Sequence, residues 1–214
     1  MVKVTYFLDV VSSWCRYVEP VWKSLIEDYG TAVAFDWEVA LIPKAGLPGS
    51  AEEEDGYYRR SGVMTKQPVM LNSAWVEPEL DSYLAPNLVP VACRELGVAG
   101  DVVRLAIADA AMVDGLKVGQ LEVSAKVAAS VCDFSVEAIL EKASSVEVEA
   151  LVQASTELFH SFGLNQRPAF YLESVIEDRA IFSGLIQKEP LEVTLRAMIE
   201  DVKSYRAWAA HMDA

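Results

Sequence analysis

The first 41 residues constrain the fold more than any later segment. Val2, Val4, Tyr6 and Leu8 alternate with Lys3, Thr5 and Phe7, the period of two expected of a strand buried mainly on one face. Ser12 and Ser13 follow, both side chains able to cap a helix, and Val18, Val21, Trp22, Leu25 and Ile26 then recur at helical spacing up to Gly30. Val33, Phe35, Trp37, Val39 and Leu41 alternate again. Parallel strands need a crossover, and a helix between two closely spaced strands supplies one. The segment therefore predicts a parallel pair with the helix packed across it. Pro20 lies inside that helix, where its missing N–H predicts a kink.

Residues 43 to 90 break the rhythm. They hold Pro43, Pro48, Pro68, Pro78, Pro86 and Pro90 together with the acidic run Glu52 to Asp55. This predicts a long irregular excursion with short helices, the acidic run being a solvated helix start. From about 90 to 162 the spacing is helical. Val102, Leu105, Ala106 and Asp109 fall on one series of turns, and Ser135 and Ser145 precede apolar runs. Val148, Leu151, Val152, Leu158, Phe159 and Phe162 mark one face of a helix that Gly163 ends. Strand patterns return at 169–172 and 180–182. A last helix starts near Pro190, with Leu191, Leu195, Met198, Val202 and Tyr205 on its buried side. The order predicts an α/β chain in which residues 1–42 and 145–214 form one domain and 43–144 an all-helical insertion.

Composition narrows the function. Asp and Glu number 32 against 18 Lys and Arg, a formal net charge of -14, so phosphate backbones and anionic bilayers repel the chain. This argues against nucleic-acid and membrane partners. With 214 residues and 52% apolar content the chain can bury one enlarged core. Its start lacks a basic leader, and no stretch approaches the roughly 20 apolar residues of a membrane span. Cys15, Cys93 and Cys132 are odd in number and widely spaced, with only His160 and His211 to assist. No metal site is expected, and the thiols are expected to be reduced in a cytoplasmic protein.

Three segments carry a family resemblance. Asp9-Val-Val-Ser-Ser-Trp-Cys-Arg-Tyr, at the first strand-to-helix turn, resembles the Asp-x-x-Cys-Pro-Trp-Cys-Tyr segment of DsbA-like proteins. Asn165-Gln-Arg-Pro-Ala-Phe-Tyr-Leu resembles their cis-proline loop, and Asp81-Ser-Tyr-Leu-Ala-Pro-Asn-Leu-Val-Pro-Val-Ala the opening of their helical insertion. The resemblance extends to DsbA- and FrnE-type oxidoreductases, 2-hydroxychromene-2-carboxylate isomerases and kappa-class glutathione transferases. It implies a thioredoxin fold with an inserted helical subdomain, and a site comprising Ser12, Ser13, Trp14, Cys15 and Pro168; Arg167, where relatives more often have a small or β-branched residue, is added to that site for its charge.

The motif departs from its dithiol relatives at one position: Ser12 stands where the attacking cysteine would be. A two-electron dithiol cycle cannot close within Ser-x-x-Cys. Three readings follow. The first is a thiol-linked oxidoreductase-like enzyme using Ser12 and Cys15, with Cys15 as a monothiol or with a thiol cofactor. The second is a glutathione-dependent isomerase or transferase, since the resemblance implies that a serine here donates a hydrogen bond to the glutathione thiolate. The third is a silent module gripping an extended peptide at Pro168. The partners implied are a small-molecule thiol or such a peptide, with a homodimer formed through an exposed apolar face of the helical block.

The residues leave alternatives open. Ser12 is equally a helix cap, and no histidine lies near enough in sequence to make it a nucleophile. Cys15 shares a helix face with Val18, Trp22 and Ile26, which favours burial over reactivity; Cys93 and Cys132 read as core. Phe182-Ser-Gly-Leu-Ile-Gln lacks the Asp-Arg pair that glutathione-binding relatives show there. Arg167 is expected to bring a positive charge beside the Ser12 turn and so favour an anionic ligand. Trp14, Trp75, Tyr57 and Tyr58 read as wall or core.

Overall fold

A computed structural model describes residues 1–66 and 70–212; Pro68, one of the prolines of the irregular stretch, lies outside the described residues. The chain runs β1 (Val2–Leu8), α1 (Ser13–Tyr29), β2 (Val33–Val39), α2 (Ala51–Thr65), α3 (Ala85–Glu95), α4 (Val102–Met112), α5 (Leu121–Ala129), α6 (Val136–Ala143), α7 (Val146–Ser161), β3 (Ala169–Ser174), β4 (Arg179–Ser183) and α8 (Lys188–Met212). The four strands form one sheet in the order β2-β1-β3-β4. β1 and β2 are parallel, with Val2 opposite Val33 and Leu8 opposite Val39. β3 runs antiparallel to β1, placing Ala169 opposite Phe7, and β4 returns antiparallel to β3. The end of β1 and the start of β3 therefore lie together at one end of the sheet.

β1 is central and is buried on both faces, not mainly on one. Val4, Tyr6 and Leu8 join Trp22 and Leu25 of α1 and Leu191 and Leu195 of α8 in the main core. Phe7, on the other face, packs against Phe159 of α7 and the adjoining Phe162, with ring centroids 5.7 and 6.1 Å away. Helices thus cover both faces, and only Lys3 of the alternating set is partly exposed. Helical structure in α1 continues through Pro20 to Tyr29. Gly163 follows α7 with φ +73°, a left-handed geometry that glycine adopts without the clash of a Cβ.

Helices α3 to α6 pack on one another, and α3 and α6 also pack on α7, which itself lies against β2. Ser135 and Ser145 each accept a backbone N–H at the start of α6 and α7. In α4 the buried face is Val103, Ile107, Ala110 and Ala111, while Val102 is exposed; the helix turns its Val103 side to α3 and α5. On α7, Val148, Val152 and Phe159 are buried but Leu151 and Leu158 are exposed, and Tyr205 of α8 is exposed too. A buried ionic network ties the helical block to α1. Arg104 donates to both Glu19 oxygens at 2.6 and 3.0 Å and to Asp101 at 2.8 Å, and Trp22 Nε1 donates to Asp101 at 3.0 Å. Among the described residues no helix is long and apolar enough to cross a membrane, and no three His, Cys, Asp or Glu side chains are grouped to hold a metal.

Candidate functional site

The turn between β1 and α1 is set by buried hydrogen bonds. Asp9, buried, accepts from Val11 N at 3.1 Å and Ile42 N at 2.9 Å, and Asn87 Nδ2 donates to it at 3.2 Å. Burial raises the Asp9 carboxyl above its ordinary range, and these donors oppose the rise. Asn87 of α3 also accepts from Val10 N at 3.1 Å and donates to Tyr83 O at 3.1 Å, so its amide links the turn to the start of α3. The residue lies in the Asp81–Ala92 segment noted above, yet nothing in its spacing announces this contact. Only the fold does.

Ser12 is the N-cap of α1. Its Oγ accepts from Cys15 N at 3.4 Å, and the hydroxyl keeps one hydrogen with which to donate, to Cys15 or into the cleft. Ser13 opens the helix, and its Oγ accepts from Ser61 of α2 at 3.1 Å, joining α1 to α2. Trp14 is half-buried. Cys15 is 3% exposed and stands behind the turn. Burial pushes its thiol up to about 11, against a Ser12 hydrogen bond that works the other way. The helix N-terminus would stabilise a thiolate here, but desolvation wins. Of the two readings of Cys15, the buried core thiol favoured by its helix face is the one observed, and the accessible monothiol is not. Cys93 is also buried, and neither it nor Cys132 lines the cleft described below.

The Arg167–Pro168 peptide bond is cis. Gly184 N donates to Pro168 O at 2.8 Å, tying the loop after β4 to this turn. Gly184 has φ +69°, and a Cβ there would meet Gln166 Oε1 at 2.8 Å. Arg167 does bring its charge close enough to the turn to act on Asp9 and Cys15, but the guanidinium is already engaged. Its guanidinium donates to Ala40 O and Leu41 O beyond β2, and stacks 4.7 Å over the Phe159 ring. The carbonyls at the end of the parallel strand claim it.

Two cavities meet at Trp14. One, of about 290 Å³, is lined by Ser12, Ser13, Ile42, Leu47, Glu54, Arg60 and Trp75, among others. The second, of about 370 Å³, lies against Gln166, Arg167 and Gly184. Trp14 and Arg60 line both. Arg60 is exposed and makes no ion pair among the described residues, so it, rather than Arg167, is the cation offered to an anion. The structure brings Ser12, Ser13 and Trp14 to one wall and Arg167 to the adjoining cavity.

Glu54 is the residue that sequence reasoning missed. The acidic run is not solvated throughout: Glu52 and Glu53 are exposed, but Glu54 is 4% exposed and faces the Ser12 cavity. Burial raises its carboxyl to about 7, opposed by a hydrogen bond from Tyr58 and aided by Asp55 and Glu53. The helix start explains the split. Glu53 caps its own turn, taking Gly49 N at 2.7 Å and Tyr57 Oη at 2.6 Å, and the next side chain falls on the inward face. The spacing of Glu54, Tyr58 and Ser61, all buried, carries a weak signal of this: one inward stripe on a mostly polar helix.

No family model matches the chain, and no curated protein is similar to it at a significant level. The solved structures define a class: the fold is that of the DsbA-like thioredoxin proteins with a helical insertion. Among them is a candidate protein disulfide isomerase from Nitrosomonas europaea, at TM-score 0.78 and 21% identity over 94% of this chain and 98% of that one. The cytosolic disulfide reductase DsbM from Pseudomonas aeruginosa follows at 0.74 and 18%, over 91% and 99%; a second structure of it contains glutathione. A 2-hydroxychromene-2-carboxylate isomerase shares the fold at 0.60 and 13%, over 96% and 98%.

Proposed function

We propose that this chain is a thiol-linked enzyme that borrows its thiolate from glutathione, with Ser12 holding the sulfur in place of the missing attacking cysteine. One observation carries the reading. The motif's remaining cysteine is buried with its thiol at about 11, whereas the Ser12 hydroxyl lines a cleft at the N-terminus of α1. A thiol entering that cleft meets a hydrogen-bond donor and the positive end of a 17-residue helix, and both favour its ionised form. The second cavity, beside the 166–168 loop and Gly184, leaves room for the peptide arms. Arg60 takes the part of the absent Asp-Arg pair in holding a carboxylate. Similarity to a reductase solved with glutathione supports the choice of cofactor.

Calorimetry tests it. Glutathione is expected to bind with Kd on the order of 1 mM or tighter, and the thiolate absorbance to appear on binding. Ser12→Ala is expected to weaken binding about 10- to 100-fold, as one lost hydrogen bond to a charged group would. The absence of heat at about 10 mM glutathione would remove the reading.

A further inference from the structure

Ionising a bound thiol requires somewhere for its proton to go. Ser12 and the amides of α1 are donors and cannot take it. Neither histidine lines either cavity. Of the side chains around the Ser12 cavity, Tyr57 and Arg60 stay protonated at neutral pH, which leaves one carboxylate. Resting on the glutathione reading, we propose that Glu54 is the proton acceptor of this site, taking the thiol proton when the cofactor binds.

The geometry supports this from several sides. Glu54 is buried, lines the same cavity as Ser12 and makes no ion pair among the described residues. A buried acid without a cation is costly, which makes it a candidate for function rather than packing. Trp75 Nε1 donates to Tyr58 Oη at 2.6 Å, so the Tyr58 proton is free to point to the Glu54 carboxylate and orient it. Glu53 and Asp55 on α2 favour its neutral form. Arg60 on the same helix lines the cavity but stacks over Tyr57 at 5.5 Å. From other elements the groups facing the Glu54–Tyr58 pair are the phenols of Tyr17 on α1 and Tyr83 before α3, with Glu77 and Glu79 beyond Tyr83. A carboxyl near 7 can accept a proton at neutral pH and give it back.

In the step itself the S–H bond breaks and its electron pair stays on sulfur, held by Ser12. The proton forms an O–H bond on Glu54, directly or through one cleft water, and no oxidant or reductant is consumed. The new thiolate beside Glu54 then favours the neutral acid, so the proton is retained.

Proton counting tests this. Glutathione is titrated into the full chain at about pH 7.5 in phosphate and in Tris, whose ionisation heats differ, while ultraviolet absorbance measures the thiolate formed. The wild type is expected to release about one quarter of a proton per thiolate, and Glu54→Gln about one full proton. Glu54→Asp is expected to keep the partial release, and S-methylglutathione to bind with no thiolate and no proton change. Glu54→Ala reports the same loss as the Gln variant and replaces it if that variant fails to fold by circular dichroism. Equal release from wild type and Glu54→Gln overturns the assignment while leaving the glutathione reading intact. Binding without thiolate overturns both, and the absence of binding overturns the reading and this inference with it.

Discussion

Replacing Glu54 by Gln should make the protein more stable, by an amount that depends on pH. The carboxyl is raised from an ordinary 4.5 to about 7 in the folded chain. As pH rises, the unfolded chain gives up this proton first, so folding must either retain the proton or bury a charge. The wild type therefore loses stability from about pH 4.5 up to about 7 and is level above that. The full difference corresponds to about 3 kcal/mol, of which about 2 to 3 kcal/mol falls between pH 5 and pH 8. Gln does not titrate, and it keeps the size and the hydrogen-bonding oxygen that faces Tyr58. Urea unfolding followed by circular dichroism at pH 5 and pH 8, at fixed ionic strength, should show the stability gap between variant and wild type widening by that amount. Near pH 8 the gap corresponds to a Tm higher by about 6 to 12 °C in a chain of this size. Any constant offset from exchanging O–H for NH₂ cancels between the two pH values. A gap that stays flat from pH 5 to pH 8 would refute the claim that this carboxyl is buried and unpaired.

Two further outcomes follow from the buried groups around α1. Cys15, 3% exposed and with its thiol at about 11, should resist iodoacetamide at about pH 8 in the folded protein and react only with unfolding; rapid labelling of the native chain at this position, read by mass spectrometry, would contradict the burial. Arg104→Met should cost about 3 to 5 kcal/mol in urea titrations by leaving Glu19 and Asp101 without their shared cation, and the double variant Arg104→Met, Glu19→Leu should recover part of it. No recovery in the double variant would mean that the loss comes from packing rather than from stranded charge.

The opening strand, helix and strand were readable because a period of two and a period of 3.6 sit side by side between residues 2 and 41, and the observed parallel pairing of β1 with β2 matches that reading. The second buried face of β1 was not readable, since it depends on α7 arriving from more than 100 residues away to cover Phe7. In α4, alanines follow both possible faces, so local spacing could not choose between Val102 and Val103 and tertiary contact did. The Ser12 turn was legible from motif spacing alone. Glu54 was hidden for a different reason: in a run of four acids, composition predicts solvation, and only the seat of α2 against α1 turns the third one inward. Arg167 was visible as an oddity, but its destination, two carbonyls beyond β2, required the sheet.

The contact of Asn87 with the turn ahead of α1 has a consequence for how such a chain can change. An inserted block usually tolerates exchange or trimming, because the host scaffold carries the chemistry. Here a fully enclosed amide from the block forms two of the bonds that shape the loop delivering Ser12. Any rearrangement of α3 is felt at the loop, and a transplant of the helices onto another scaffold would have to bring that amide to the same spot or lose the serine's aim. The two parts of the molecule are therefore bound to vary together, and the helices are as much a part of the reactive machinery as the sheet they interrupt.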